Sequence, residues 1–218
     1  MKNIFAFFFA VATVCCITAL RPIPEPFEGT IRYETAVTGE VPKAVTDRLA
    51  EHYDLSFKKN DLKIKATAPL KGEILIKKDL QKMYIVRFDQ KNVYEVDLKD
   101  KRIPENNSTP TVTPFKETIT IAGYACQKYQ IQYDNDMKLY VWTTPAINAD
   151  QWGEAPVFGG QLKLPEGIVG FPLKLQLVSS KFTLTGTAVV VKATEMNPMD
   201  FELPMGMITK KLWSFHLA

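Results

Sequence analysis

Histidine is nearly absent from this chain of 218 residues: only His52 and His216 occur, far apart in sequence. Two isolated imidazoles supply neither a metal site of the usual His/Cys spacing nor a general base beside a nucleophile. The chain also lacks a G-x-S-x-G elbow, an H-E-x-x-H segment, a phosphate-binding glycine loop and a spaced cysteine pair. Carboxylate pairs do occur, Asp134 with Asp136 and Asp97 with Asp100, but both fall in turn signals, where aspartate serves local hydrogen bonds. These absences point away from an enzyme, a metal centre and a bound cofactor.

Cysteine is scarce as well, with Cys15 and Cys16 near the start and Cys126 in the body. Once a leader is removed Cys126 stands alone, which excludes an intramolecular disulfide framework and leaves the fold to its hydrophobic core. With no histidine near it in sequence, Cys126 reads as a compact, buried or half-buried strand residue. Charge of one sign is missing too. The net charge is +3 with a pI near 8.6, and the lysines are scattered singly, not gathered into the dense basic patch that binds nucleic acid. A hydrophobic content of 46% over this length suffices for one sizeable core and one domain.

Long apolar runs are confined to the start, MKNIFAFFFAVATVCCITAL. An early lysine, an apolar run and then small residues make the pattern of a secretory signal peptide over residues 1–19, cleaved after Ala19 with Ile17 and Ala19 at the recognition positions. A membrane helix is the rival reading, but the run is at the short end for a span. A lipid anchor on Cys15 or Cys16 is the other; Val14 and Cys15 precede them, where lipoprotein signals place Gly, Ala or Ser. The expected layout is a leader at 1–19, a proline-rich lead at 20–26 and a single β-rich domain at 27–218. The expected place is periplasmic or secreted, with an outer-membrane lipoprotein as the alternative and other membrane contact only transient.

What the body does have is alternation. Residues 115–143 read FKETITIAGYACQKYQIQYDNDMKLYVWT, three alternating runs split by Ala122-Gly123 and by Asp134-Asn135-Asp136. Period two leaves one face of each strand dry, here Ile119, Ile121, Tyr129, Ile131, Tyr133, Leu139 and Val141, and the other wet. Further strands are expected at 27–38, 55–59, 62–68, 72–78, 83–88 and 93–98, then from 173, at 181–185 and at 187–195. Hairpin-sized breakers between them make an antiparallel meander. Helical spacing is rare: Val41, Val45, Leu49 and Tyr53, with Pro42 ahead of most of them, predict one amphipathic helix. One helical turn is expected between 145 and 153, with Asn148 as its cap. The polar loop at 101–114 carries two glycosylation-type triplets at Asn106 and Asn107 and reads as a loop.

Several short phrases carry a resemblance: Phe27-Glu28-Gly29-Thr30-Ile31, Ile121-Ala122-Gly123-Tyr124-Ala125-Cys126-Gln127-Lys128-Tyr129, Val141-Trp142-Thr143-Thr144, Gly170-Phe171-Pro172-Leu173 and Phe201-Glu202-Leu203-Pro204. They resemble a family of secreted bacterial proteins of unknown function, similar in layout to the GLPGLI proteins and to lipoprotein carriers of the LolA and LppX type. The resemblance implies a mainly β (α+β) fold: a strongly curved antiparallel sheet, or incomplete barrel, with helices or loops over its concave side. Carriers of that type hold acyl chains in the cavity beneath the sheet.

The residues lead to the same place by a separate route. Ten or eleven strands with one dry face each, beside a single amphipathic helix, leave an apolar surface that must curl or cup a pocket. Trp142, Trp152 and Phe171 are the expected wall of that pocket and Met199 and Met205 its adaptable closure. The expected partner is a lipid or acyl chain. The alternative is a non-catalytic envelope scaffold or interaction protein with a filled core, binding an envelope protein through its sheet edges.

Overall fold

The computed structural model describes residues 25–47, 49–67, 72–99, 110–132, 137–149, 156–157, 160–161 and 164–212. The leader at 1–19, Cys15, Cys16, Asp100, Tyr133, Asp134, Asp136, Trp152, His216 and the triplets at Asn106 and Asn107 lie outside the described residues. The strands are β1 (Gly29–Gly39), β2 (His52–Lys58), β3 (Asp61–Ala66), β4 (Glu73–Lys77), β5 (Lys82–Arg87), β6 (Asn92–Asp97), β7 (Thr111–Ile121), β8 (Tyr124–Gln132), β9 (Lys138–Thr144), β10 (Pro156–Val157), β11 (Gly160–Gln161), β12 (Phe171–Val178), β13 (Phe182–Ala193) and β14 (Ile208–Leu212). Twelve of them form one large, open, curved sheet in the order β14-β6-β5-β4-β3-β2-β1-β13-β12-β9-β8-β7, and β10 and β11 pair separately.

Two meanders, β1 to β6 and β7 to β9, produce this order, and they meet through β12 and β13. The seam is the long antiparallel ladder of β1 with β13, from Gly29 opposite Ala193 to Gly39 opposite Phe182. Hairpin turns set the meanders. Between β7 and β8, Ala122 and Gly123 both take positive φ (47° and 87°), the turn that suits the right-handed twist of paired strands. All pairings are antiparallel except that of β14, which returns to lie parallel to β6.

Tyr33 on β1, Tyr53 and Phe57 on β2, Leu62 on β3, Ile76 on β4, Met83 on β5, Ile131 on β8 and Leu173 on β12 are fully buried in one core. Tyr33 is buried with its hydroxyl satisfied: it donates to the Pro172 carbonyl at 2.5 Å. A second, smaller cluster lies across the sheet. Leu75, Tyr84, Val86 and Val93 pack there against Phe201, with Met196, Leu203 and Met207 around it. They alternate with Ile74 and Ile76, or with Met83, which belong to the main core, so β4 and β5 are dry on both faces.

The helix expected over Val41 to Tyr53 is not formed. Only α1 (Lys43–Thr46) is helical, and it buries none of its side chains. A four-residue helix with no core contact and no side-chain N-cap gains little, whereas Tyr53, Leu55 and Phe57 alternate into the core as part of β2. The helical turn expected within 145–153 with Asn148 as its cap would follow that cap, and residues 150–153 lie outside the described residues. Asn148 itself accepts a hydrogen bond at its carbonyl from Phe27 N–H, at 2.6 Å.

Residues 181–185 and 187–195, expected as two strands, are one strand, β13. Gly186 between them is paired on both sides, opposite Thr35 and opposite Leu175, so the missing side chain makes no turn. Ile119, expected on a dry face, is 42% exposed; it lies on β7, the edge strand of the sheet among the described residues. No helix among the described residues is long and apolar enough to cross a membrane.

Candidate functional site

Phe171 begins β12 at the point where the chain re-enters the sheet. Gly170, just before it, has φ +93°, and a Cβ there would stand 2.4 Å from the Thr144 carbonyl oxygen, so only glycine allows this approach. The ring of Phe171, 2% exposed, meets Phe57 edge-on with centroids 5.6 Å apart, and Phe27 meets Phe57 in the same way. Ile147 and Ala149, before β12, are buried in this core, and Leu164 and Ile168 pack against it half-buried. Irregular chain thus supplies cover that no helix provides among the described residues.

Trp142 belongs to the same buried cluster but reaches a different environment. On β9 it alternates with Val141, and its ladder neighbours are Lys128 on β8 and Lys174 on β12. Both ammonium groups lie over its ring, at 5.2 Å and 4.8 Å from the centroid. Lys128 also lies 4.6 Å from the Tyr140 ring and 4.8 Å from that of Phe115. Lysine heads therefore cover Trp142, which is 7% exposed.

Met199 and Met205 are not brought to this wall. They are 78% and 100% exposed, on the segment whose Phe201 fills the second cluster across the sheet. The methionine-rich tail divides: Met196 and Met207 pack, and these two do not. Sequence reasoning missed the packing role of Phe201, although the aromatic inside Phe201-Glu202-Leu203-Pro204 was the signal that could have found it.

A cleft of about 510 Å³ lies beside that second cluster, lined by Asp61, Lys77, Asp79, Leu80, Tyr84, Glu202 and Leu203. Its lining is mixed, with four charged side chains beside Leu80, Tyr84 and Leu203, where an acyl-chain site would be mostly apolar, and most of its charges are engaged. Lys77 Nζ is 2.8 Å from Asp61 and 3.9 Å from Glu202, and Asn60 donates to Asp79 at 2.9 Å. Among the described residues no group of three or more His, Cys, Asp or Glu side chains could hold a metal ion.

Cys126 is fully buried and free, and burial pushes its thiol above the ordinary range. Burial also holds the Tyr33 phenol far above its usual range. Glu73 behaves oppositely: burial alone would raise it, but Lys63 at 2.8 Å and Lys65 at 2.9 Å outweigh that and hold the carboxyl below its usual range.

A family described as a domain of unknown function, DUF4412, matches residues 27–207. No curated protein matches the chain in sequence. PNGF-II is similar in structure with a TM-score of 0.50 at 15% identity, over 85% of this chain and 31% of that one, so this chain spans about a third of its length. An uncharacterized conserved protein from Thermus thermophilus gives 0.48 at 10% identity, over 84% and 91%. The Mycobacterium tuberculosis lipoprotein LppX gives 0.35 at 8%, over 77% and 90%. The likeness to PNGF-II, at 15% identity, bears on the fold and not on activity.

Proposed function

The chain belongs to the DUF4412 family, and from that premise we propose that it is an exported, non-catalytic envelope protein that binds a lipid or acyl chain against the interior of its curved sheet. The observation that carries this reading is the nature of the cover. Among the described residues, the core formed by β1, β2, β9 and β12 is closed in part by irregular chain through Ile147, Ala149, Leu164 and Ile168, and not by a packed helix. Each such side chain contributes at most about 1.5–3 kcal/mol when fully buried. An acyl chain burying a few hundred Å² gains several kcal/mol at roughly 25 cal/mol per Å² before association costs, enough to compete with such a cover. The leader pattern at 1–19 supports export to a periplasmic or secreted location.

A second reading, the envelope scaffold with a filled core, is favoured by the near-complete burial of Phe171 and the full burial of Phe57 and Leu173. Native mass spectrometry and displacement of a fluorescent fatty acid separate the two. Bound lipid, or saturable displacement, supports the carrier. No bound lipid, no displacement, and Phe171 variants that do nothing but unfold would leave the scaffold.

A further inference from the structure

We propose that the face of the sheet opposite Val141, carried by β8, β9, β12 and β13, docks the protein on an anionic lipid surface, with Lys128 and Lys174 meeting the headgroups.

The two halves of the sheet treat their lysines differently. From β1 to β6, cations sit directly across from acids: Arg32 with Asp54, Lys65 with Glu73 and Lys77 with Asp61, at 2.7–2.9 Å. Lys82 is paired with Glu95 at 2.9 Å. No carboxylate occurs anywhere in β8, β9, β12 or β13. There the register makes two rows across adjacent strands: Lys128, Trp142, Lys174 and Thr187, then Gln130, Tyr140, Gln176 and Thr185. The next residue of the first row is Glu34 on β1, two strands beyond Lys174.

Lys128 and Lys174 are held by rings instead of by acids. An aromatic face orients an ammonium without cancelling its charge, so the pair is presented at fixed positions as net positive. The same geometry decides what this face binds. The lysine heads occupy the face of Trp142 on which a neutral sugar or a base would have to stack, so the surface offers charge and amides in place of open π faces. Tyrosine and tryptophan rings beneath lysine heads suit the headgroup level of a bilayer, where an aromatic body and a charged tip are both accommodated. An anionic surface also requires no shaped pocket, only charge within a Debye length.

The test uses the chain without residues 1–19, whose apolar run would itself enter vesicles; the described strands lie between Gly29 and Leu212. Sedimentation with phosphatidylcholine vesicles, with and without phosphatidylglycerol, measures partition. Binding should require phosphatidylglycerol and fall in high salt. Lys128→Gln and Lys174→Gln should each weaken it about fivefold, and together about 25-fold, from roughly 1 kcal/mol per lysine. Lys128→Arg should retain it. The control is Lys65→Gln with Lys82→Gln, the same net-charge change placed in ion pairs, which should leave binding near wild type. Thermal melts confirm that each variant is folded. Equal binding to both vesicle types, equal loss in the control pair, or full binding by the folded double variant overturns the proposal. No cargo is present in this assay, so its outcome is separate from that of fatty-acid displacement.

Discussion

Replacing Phe171 by alanine tests how the interior is built. The ring is almost wholly buried, stands edge-on to Phe57 at 5.6 Å, and follows a glycine that no other residue replaces without collision. Truncating such a ring costs about 3–5 kcal/mol, the lost transfer energy plus the residual cavity, and the edge-to-face pair accounts for roughly 0.5–1.5 kcal/mol of interaction beyond area. For a domain of this size, one kcal/mol moves the melting temperature by about 2–4 °C, so a fall of roughly 6–20 °C is expected. Thermal and urea melts of Phe171→Ala and Phe171→Leu measure it, with leucine losing less because it refills part of the volume. A loss below about 1 kcal/mol in Phe171→Ala would refute the packing argument. An unchanged melt with fatty-acid affinity abolished would show that the ring serves a ligand and not the core.

Gly170→Ala should destabilise through both its positive φ and its contact with the Thr144 carbonyl, by more than about 1 kcal/mol, read by chemical denaturation. Cys126, buried with a raised thiol, should resist alkylation at pH 8 and react at a rate set by unfolding, while Cys126→Ser should leave any binding intact; fast labelling of the native protein would contradict this placement. Glu73 has a folded pKa below its unfolded value of about 4.5, so its contribution is complete above that value and is lost as pH falls through the lowered one. Glu73→Gln should therefore be less stable at pH 7 and lose less stability on acidification, as melts across the acid range will show.

Alternation is a local property, and it was legible. Ile121, Tyr129, Ile131, Leu139 and Val141 are buried as period two predicts, because a strand's two faces are set by its own backbone geometry. The phrases behind the resemblance are legible too once their physics is known. Gly29 and Gly170 occupy backbone positions where a Cβ would strike a neighbouring carbonyl, Ala122-Gly123 forms the turn, and Phe201 fills a cluster. What was not legible depended on neighbours. Val41, Val45 and Leu49 have helical spacing but are only half-buried, whereas Tyr53, which shares their spacing, is claimed by β2 and fully buried.

The sequence by itself determined a mainly β chain, its meanders and a core without disulfides, since composition and period two act within single strands and hairpins. Only the tertiary structure decided that β1 pairs β13, that β12 joins β9, and that β14 returns parallel to β6. It also decided which apolar side chains count. Met199 and Phe171 are equally apolar in a list of residues, but one is on the surface and the other in the core. The Lys128, Trp142 and Lys174 row exists only through the register of three strands, and no spacing along the chain announces it. The physical reason is common to all of these: burial and pairing are set by what lies across the sheet, and that partner is remote in sequence.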